Sequence, residues 1–416
     1  MTAEDFLKKH GMEPERIDIG ECAGLFLEGM EAGLAGGQGG LPMAPAYISC
    51  DDAPPRGVPV AVMDAGGTNF RRALVEFTDT GWEARDLMKT SMPGVNQSAS
   101  WDEFVAFAAD ALMPMMDSAQ RIGFCFSYMA DISPDCDGTD PRFTKQVSIT
   151  GCQGRHICAE LSRELARRGV EGKKFVLLND TAAVLLGVAA LLDREKFDGF
   201  IGLVAGTGVN TCCPLPEHRI GKLGLSGDNK MLVNMESGYL TNLPRGDFDR
   251  VLDGKSGDPG KCLYEKMTSG AYLGKLTAET LFAAADEGLI SQKIKNIPDT
   301  DSSAADDWCD GQGLENYTDS PEETEFIKAV SLALFDRAAR CLCANLAGVL
   351  MLTGAGREKP VCICVEGSLF LKSRHFRSLL EKHMDEYVRG VMGRKYEFHT
   401  TKENTLLGAA AAALTN

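Results

Sequence analysis

The sequence predicts an α/β protein with two lobes around a cleft. Short apolar runs of strand length alternate with helical patterns along the 416 residues, which is typical of this class. The length also exceeds that of one ordinary domain. Two strand–turn–strand segments, at residues 60–77 and 200–213, have similar turns rich in Gly, Thr and Asn. Each turn alone could be an unrelated β-turn, but the pair favours two related lobes.

Strands are predicted where short apolar runs end in polar or glycine-rich residues. These strands cover residues 59–63, 72–77, 121–127, 174–178, 200–204, 231–235 and 361–365. Helices are predicted where apolar residues follow a helical period, at residues 101–116, 155–168, 181–191, 276–287, 321–350 and 374–389. Before the longest helix, Ser320, Pro321 and Glu323 form a capping-box pattern. The preceding stretch 299–320 is rich in Asp, Ser and Gly and is expected to be an exposed loop.

Charge and composition disfavour several classes of function. The formal net charge of −16 disfavours nucleic acid and anionic membrane lipid as partners, because an acidic surface repels their phosphates. The longest apolar run, 182–192, is far too short to cross a membrane. The first ten residues have no apolar core, so we expect no signal peptide and a cytoplasmic location. The 14 cysteines are then expected to be reduced core residues, and their spacing does not match a zinc site.

The turn of the first hairpin has the composition of a phosphate-binding loop. Gly66 and Gly67 let backbone N–H groups approach anionic oxygens without a Cβ in the way. Thr68 and Asn69 add side-chain donors, and Asp64 at the strand end could hold Mg²⁺ directly or through water. The turn of the second hairpin could hold the same phosphate chain from the other lobe, through its residues Gly206, Thr207 and Gly208.

Two other nucleotide-binding patterns are absent. Gly254-Lys255-Ser256 ends like a Walker A loop, but Asp249 stands where the leading glycine belongs. No GxGxxG follows a strand and opens a helix, which makes a Rossmann dinucleotide site unlikely.

Asn179-Asp180-Thr181 closes an apolar strand and opens a helix. Taken alone, this pattern favours Asp180 as a helix N-cap, a common role for aspartate. The alternative is a site residue, because polar strand ends in α/β sheets are where active sites lie. Both interpretations stay open at this point.

An ordered series of segments resembles the hexokinase family. Val62 to Arg71, which contains Asp-Ala-Gly-Gly-Thr-Asn, resembles the family's first phosphate motif, and residues 202–210 resemble its second. The run 176–181 resembles the approach to its catalytic aspartate. Further matches follow in the family's order, at residues 41–48, 126–127, 144–145, 165–169, 234–236, 258–274, 365–368 and 408–410. The resemblance covers nearly the whole chain.

The resemblance implies a fold and a reaction. The fold is the actin-like, ribonuclease H-like α/β architecture of two-lobe sugar kinases, with an active-site cleft between the lobes. Residues 52–180 would form the small lobe, and residues 1–51 and 181–416 the large one. The reaction is transfer of the γ-phosphate of ATP to a hexose, expected to be glucose at its 6-hydroxyl, with Mg²⁺ as cofactor.

Site residues follow from the resemblance position by position. Asp180 would be the general base, and Lys145 would help neutralise developing charge. The sugar would be bound by Ser127, Thr144, Lys145, Asn179, Asp180, Asn210, Glu236 and Glu265. Asp64 would reach Mg²⁺ through water. The nucleotide would be bound by Asp64, Gly66, Gly67, Thr68, Asn69, Arg71, Gly206, Thr207, Gly208, Gly367 and Ser368.

The chain departs from the family's pattern near the sugar. Ser127-Tyr128-Met129 stands where Ser-Phe-Pro is common, Phe143 and Gln146 flank the Thr-Lys pair in place of Trp and Gly, and Ser237 replaces a Trp. These departures bear on which hexose is preferred. Other readings are a kinase for another hexose, a non-catalytic sugar sensor and an actin-like ATPase. The presence of Asp64, the phosphate turns and Asp180 favours the enzyme.

Overall fold

Two β-sheets organise the residues described by the computed structural model, 1–143 and 147–416. The five-stranded sheet has the strand order Lys174–Leu178, Arg121–Phe126, Val60–Gly66, Asn69–Thr78, Gly81–Ser91. Its first three strands are parallel and its last two are antiparallel additions. The six-stranded sheet has the order Ala44–Pro45, Lys230–Asn234, Val209–Pro216, Gly199–Ala205, Val361–Glu366, Tyr396–His399.

Two short ribbons complete the described strands: Ala99–Ser100 with Ile149–Thr150, and Met129–Ile132 with Gly138–Arg142. The α-helices are Ala3–Lys9, Ile19–Leu34, Trp101–Leu112, Ile157–Arg167, Asp180–Ala189, Asp247–Lys255, Leu263–Thr268, Gly270–Asp286, Ser302–Cys309, Pro321–Thr353, Ser368–Lys372, Phe376–His383 and Asn404–Thr415. A π-helical segment, Met384–Val391, continues Phe376–His383. Short 3₁₀ turns lie at Pro14–Arg16, Met113–Met115, Arg194–Lys196, Glu217–Arg219, Gly221–Leu223, Ser237–Tyr239 and Gln292–Asn296.

The seven predicted strands and six predicted helices are all confirmed, with shifted ends. The parallel strands are apolar on both faces because helices cover them, so short apolar runs were a reliable signal. At the longest helix, the Ser320 hydroxyl accepts the Glu323 N–H at 3.3 Å, as expected of an N-cap. The predicted capping box is only half formed, because the Glu323 carboxylate accepts from the Asp319 N–H instead.

The prediction of an exposed loop over residues 299–320 is wrong. Helix Ser302–Cys309 lies inside it and buries Trp308 and Cys309. Asp301 caps this helix by accepting the N–H groups of Ser303 and Ala304, at 3.0 and 3.1 Å.

Two helices join the sheets. Asp180–Ala189 packs against the six-stranded sheet, and Asn404–Thr415 packs against the five-stranded sheet. They cross where Gly187 faces Asn404 and Gly408 faces Ala183, so closely that a Cβ on either glycine would overlap a backbone carbonyl. The C-terminal helix therefore covers the sheet of residues 60–178, although the sequence placed 181–416 in the other lobe. The exact lobe boundaries remain a prediction.

A separate property concerns membranes. Among the described residues, no helix combines the length and the apolar character that a membrane crossing requires.

Candidate active site

The two sheets each bring polar residues to one edge. In the five-stranded sheet, parallel strands end at Gly66, Phe126 and Leu178, so Asp64 lies two residues before the end of its strand, and Ser127 and Asp180 follow the ends of the other two. In the six-stranded sheet, strand directions place Gly206, Glu236 and Gly367 at a common edge. These are the sheet edges at which α/β proteins bind ligands.

The first predicted phosphate turn closes a regular hairpin. Its last strand pair is Gly66 with Asn69, and Gly67 has a left-handed φ of +52°, which glycine adopts without strain. The carbonyl of Thr68 accepts the Met92 N–H at 2.9 Å. Gly67 and Asn69 are exposed to solvent. The turn is therefore held by backbone hydrogen bonds on its protein side, and its other side is accessible to a ligand.

Asp64 lies under this turn in a buried ionic cluster. Its side chain is only 4% exposed, and its Oδ2 accepts from Arg71 Nε at 3.1 Å and Thr405 Oγ1 at 2.8 Å. Arg71 also donates to Thr405 Oγ1 and to Glu403 Oε2, at 2.7 and 2.6 Å. Asp64 Oδ1 is buried without a hydrogen-bond partner among the described residues, and it faces Gly66 and Ser127.

The electrostatics of the cluster keep Arg71 charged. Burial opposes the charged form of Arg71, but Asp64 and Glu403 outweigh it and raise the pKa of the guanidinium. Glu366, at the end of strand Val361–Glu366, belongs to the same field, and burial raises the pKa of its carboxyl despite Arg71. Among the described residues Arg71 thus contacts Asp64, Glu403 and Thr405, and its contact with the nucleotide stays a prediction.

Sequence reasoning missed Glu366, Glu403 and Thr405 as parts of this site. Glu366 lies inside the family-matching segment 365–368, of which only Gly367 and Ser368 are predicted to bind the nucleotide. Glu403 and Thr405 lie five and three residues before the matching segment 408–410. Their positions beside two known family segments were the available signal.

The second predicted phosphate turn lies against the N-terminus of helix Gly270–Asp286 and against Gly367, which the resemblance assigns to nucleotide binding. The carbonyls of Gly206 and Thr207 accept the N–H groups of Gly270 and Ala271, at 2.8 and 3.2 Å. Gly367 has a φ of +120°, and a Cβ built on it would overlap the Ala205 carbonyl. The two backbones therefore approach at a distance that only glycine permits. Gly208 and Ser368 flank this contact, since the Gly206 N–H donates to the Gly208 carbonyl at 3.0 Å and Ser368 follows Gly367.

The structure decides which residue caps the helix after strand Lys174–Leu178. Asn179 is the N-cap, and its Oδ1 accepts the Thr181 N–H at 2.8 Å. The interpretation of Asp180 as the cap is wrong, since Asp180 is the first helical residue and accepts from Thr181 Oγ1 at 3.2 Å. Asp64 pairs with Cys125 on the neighbouring strand, and burial, together with the charges of Asp64 and Asp180, raises the pKa of the Cys125 thiol.

Two predicted sugar residues of the six-stranded sheet, Asn210 and Glu236, are joined by hydrogen bonds through Asn234, which was not among the predicted site residues. Asn210 Nδ2 donates to Asn234 Oδ1 at 2.7 Å, and Asn234 Nδ2 donates to Glu236 Oε1 at 2.5 Å. Glu265 Oε2 accepts the Val209 N–H at 3.3 Å. Glu236 has a left-handed φ of +53°, a conformation that a non-glycine residue adopts at some cost and often at functional sites.

A contact joins the turn Ser237–Tyr239, which follows Glu236, to the short ribbon of Met129–Ile132 and Gly138–Arg142. The Tyr239 hydroxyl donates to the sulfur of Met129 at 3.0 Å, and Met129 follows Ser127 in the segment that the family resemblance assigns to sugar binding. Thr144 and Lys145, the remaining predicted site residues, lie outside the described residues.

Comparison with known proteins agrees with this geometry. Two sequence profiles of the family described as Hexokinase match the chain, one over residues 3–190 and one over residues 200–415. Hexokinase-1 of Oryza sativa subsp. japonica is 28% identical, over 95% of this chain and 87% of its own length. Glucokinase-1 of Saccharomyces cerevisiae is also 28% identical, over 96% of this chain and 94% of its own length.

Solved structures show the same fold. The hexokinase of Schistosoma mansoni complexed with glucose has a TM-score of 0.80 at 21% identity, and each chain covers the other completely. A ROK-family glucokinase from Streptomyces griseus, in complex with glucose and AMPPNP, has a TM-score of 0.52 at 17% identity, over 85% of this chain and 99% of its own. The predicted actin-like fold of two-lobe sugar kinases is thereby confirmed. The chain belongs to the hexokinase family, and it is a phosphotransferase that acts on a sugar hydroxyl.

Proposed function

We propose that this hexokinase transfers the γ-phosphoryl group of ATP to the 6-hydroxyl of glucose, with Asp180 as general base. The observation that carries the proposal is the gathering of both predicted phosphate turns, Asp180 and the Asn–Glu network at the two sheet edges. The names of its relatives support glucose as the sugar, since they include a yeast glucokinase and two sugar kinases solved with glucose.

The Asn–Glu network suits a sugar ring. A hexose presents hydroxyls that both donate and accept, so amide and carboxylate groups can bind them in pairs. Asn210 and Asn234 hold Glu236 in place, while the Val209 N–H holds Glu265. A sugar lacking a matching hydroxyl would leave one of these groups unpaired, which is a strong source of selectivity.

The position of Asp180 supports the proposed role on the reacting hydroxyl. It follows strand Lys174–Leu178 at the same sheet edge as the phosphate turn, and it begins a helix whose N-terminus favours a negative charge. A carboxylate there orients the hydroxyl and accepts its proton as the bond to phosphorus forms. Lys145 would neutralise developing charge, and Thr144 would contact the sugar, as the family implies.

The residues under the first turn fit Mg²⁺. Asp64 Oδ1 is a buried oxygen without a partner, Glu366 lies in the same field, and no group of three metal ligands exists among the described side chains. Mg²⁺ typically binds one or two carboxylates, water and substrate phosphates. Asp64, through water, and Glu366 would hold it, and the bound ion would neutralise charge on the phosphates. Arg71 and Thr405 orient Asp64 for this role.

The function is tested by measuring ADP release with and without hexoses. Purified protein with ATP and Mg²⁺ is assayed alone and with glucose, fructose, mannose and galactose, and the product is identified by mass spectrometry. We expect slow hydrolysis alone and a rise of orders of magnitude with glucose, because the sugar completes the site. Equal rates with and without every hexose would favour the ATPase or sensor alternatives. A larger rate with another hexose would correct the substrate.

A further inference from the structure

The residue after Ser127 makes a contact that the proposed roles do not use. Tyr128 is only 7% exposed, and its ring packs against Phe126 and Phe143, with centroid distances of 5.4 and 4.7 Å. Its hydroxyl donates a hydrogen bond to the backbone carbonyl of Gly67 in the first phosphate turn. A phenylalanine, common in the family at this position, would fill the same space without that bond.

The bond fixes a particular peptide group. A trans peptide is planar, so its carbonyl and its N–H point in opposite directions. Because the Gly67 carbonyl points inward to Tyr128, the N–H of Thr68 in the same peptide points away from Tyr128. The next carbonyl, that of Thr68, is held by the Met92 N–H at 2.9 Å.

The base of the turn is held by more backbone hydrogen bonds than its tip. On the strand side, Gly66 pairs with Asn69, and the Ser127 N–H donates to the Ala65 carbonyl at 3.1 Å. At the exposed tip, Gly67 has open space around its Cα, so no packing of its own limits its backbone rotation. The Tyr128 hydroxyl thus supplies the restraint that glycine at this position lacks.

We propose that Tyr128 is a positioning residue for the nucleotide, which holds the Gly67–Thr68 peptide so that its N–H faces the phosphate chain of ATP. The proposal rests on the proposed function. The buried phenol lies near Asp64, whose charge joins burial in raising the pKa of Tyr128, so the hydroxyl stays protonated and remains a donor.

The test is the Tyr128→Phe variant, in which only the hydroxyl is lost. We expect the KM for ATP and the Kd of a non-hydrolysable ATP analogue to rise roughly three- to tenfold, the usual worth of one hydrogen bond. The KM for hexose should stay within about twofold, since the ring is retained and the sugar residues are untouched. Tyr396→Phe is the matched control, because it removes a buried hydroxyl that donates to Asp385 at 2.8 Å, at the far end of the six-stranded sheet.

The outcomes separate the alternatives. If Tyr128→Phe lowers only the melting temperature, as Tyr396→Phe should, the hydroxyl is merely a satisfied core group and the proposal is overturned. Equal increases in both KM values would overturn it as well, because they would indicate general loss of the site. If the wild-type protein transfers no phosphate to any hexose, the proposed function fails, and binding of the ATP analogue still tests Tyr128.

Discussion

At the scale of single residues, Asp180 carries the clearest prediction because its capping role is excluded. Asn179 holds the helix end, so Asp180→Asn leaves the cap intact and costs at most about 1 kcal/mol of stability, the usual worth of a negative charge at a helix N-terminus. An amide cannot accept the hydroxyl proton, and we therefore expect turnover to fall by about 10² to 10⁴ at saturating substrates. Turnover and a melting curve are measured together. Asp102→Asn is the control, since Asp102 lies exposed in the first turn of another helix. A well-folded Asp180→Asn protein with normal turnover would remove Asp180 from the mechanism.

The sequence indicates site residues that form a local motif, but it does not indicate contacts between residues that are distant in the chain. The turn at Asp64 to Asn69 reveals itself by its glycines. The ion pair of Arg71 with Glu403 cannot be recognised in the sequence, because the two residues are 332 positions apart and only folding brings them together.

At the scale of elements, helices Asp180–Ala189 and Asn404–Thr415 cross with their backbones in close contact at Gly187 and Gly408. Alanine normally favours a helix over glycine by up to about 1 kcal/mol. Gly408→Ala should instead destabilise by roughly 1–3 kcal/mol, because its methyl group overlaps the Ala183 carbonyl. Chemical denaturation measures the change, with Gly24→Ala as the control, since Gly24 is a helical glycine with open space around its Cα. Equal effects of both substitutions would mean that the crossing tolerates a methyl group.

The elements that the sequence did not predict have physical reasons. Strand Gly81–Ser91 is an exposed edge strand, and its charged residues obscure the apolar alternation. Helix Ser302–Cys309 is rich in aspartate, yet buried Asp306 is satisfied by Ser373 Oγ and the Arg374 N–H, at 2.8 and 2.9 Å. Such distant partners cannot be read from local composition.

At the scale of the whole molecule, the site is divided between the sheets. Ser127 and Asp180 follow strands of one sheet, whereas Glu236 and Glu265 accompany the other, so a sugar that contacts both groups binds best when the cleft is closed. We expect glucose to reduce the radius of gyration in small-angle X-ray scattering, whereas L-glucose should not. Identical scattering with either sugar would contradict closure around the substrate.

The C-terminal helix has a further consequence, for the order of synthesis. Within residues 404–415, Leu406, Leu407 and the buried alanines cover one apolar face of the five-stranded sheet. They share one hydrophobic cluster with Val62 and Val176 of that sheet. A ribosome that has translated only residues 1–400 therefore holds a nascent sheet with that face uncovered. The five-stranded sheet, whose strands are translated early, is covered only after residues 404–415 have been translated. Until then its exposed apolar face can bind chaperones.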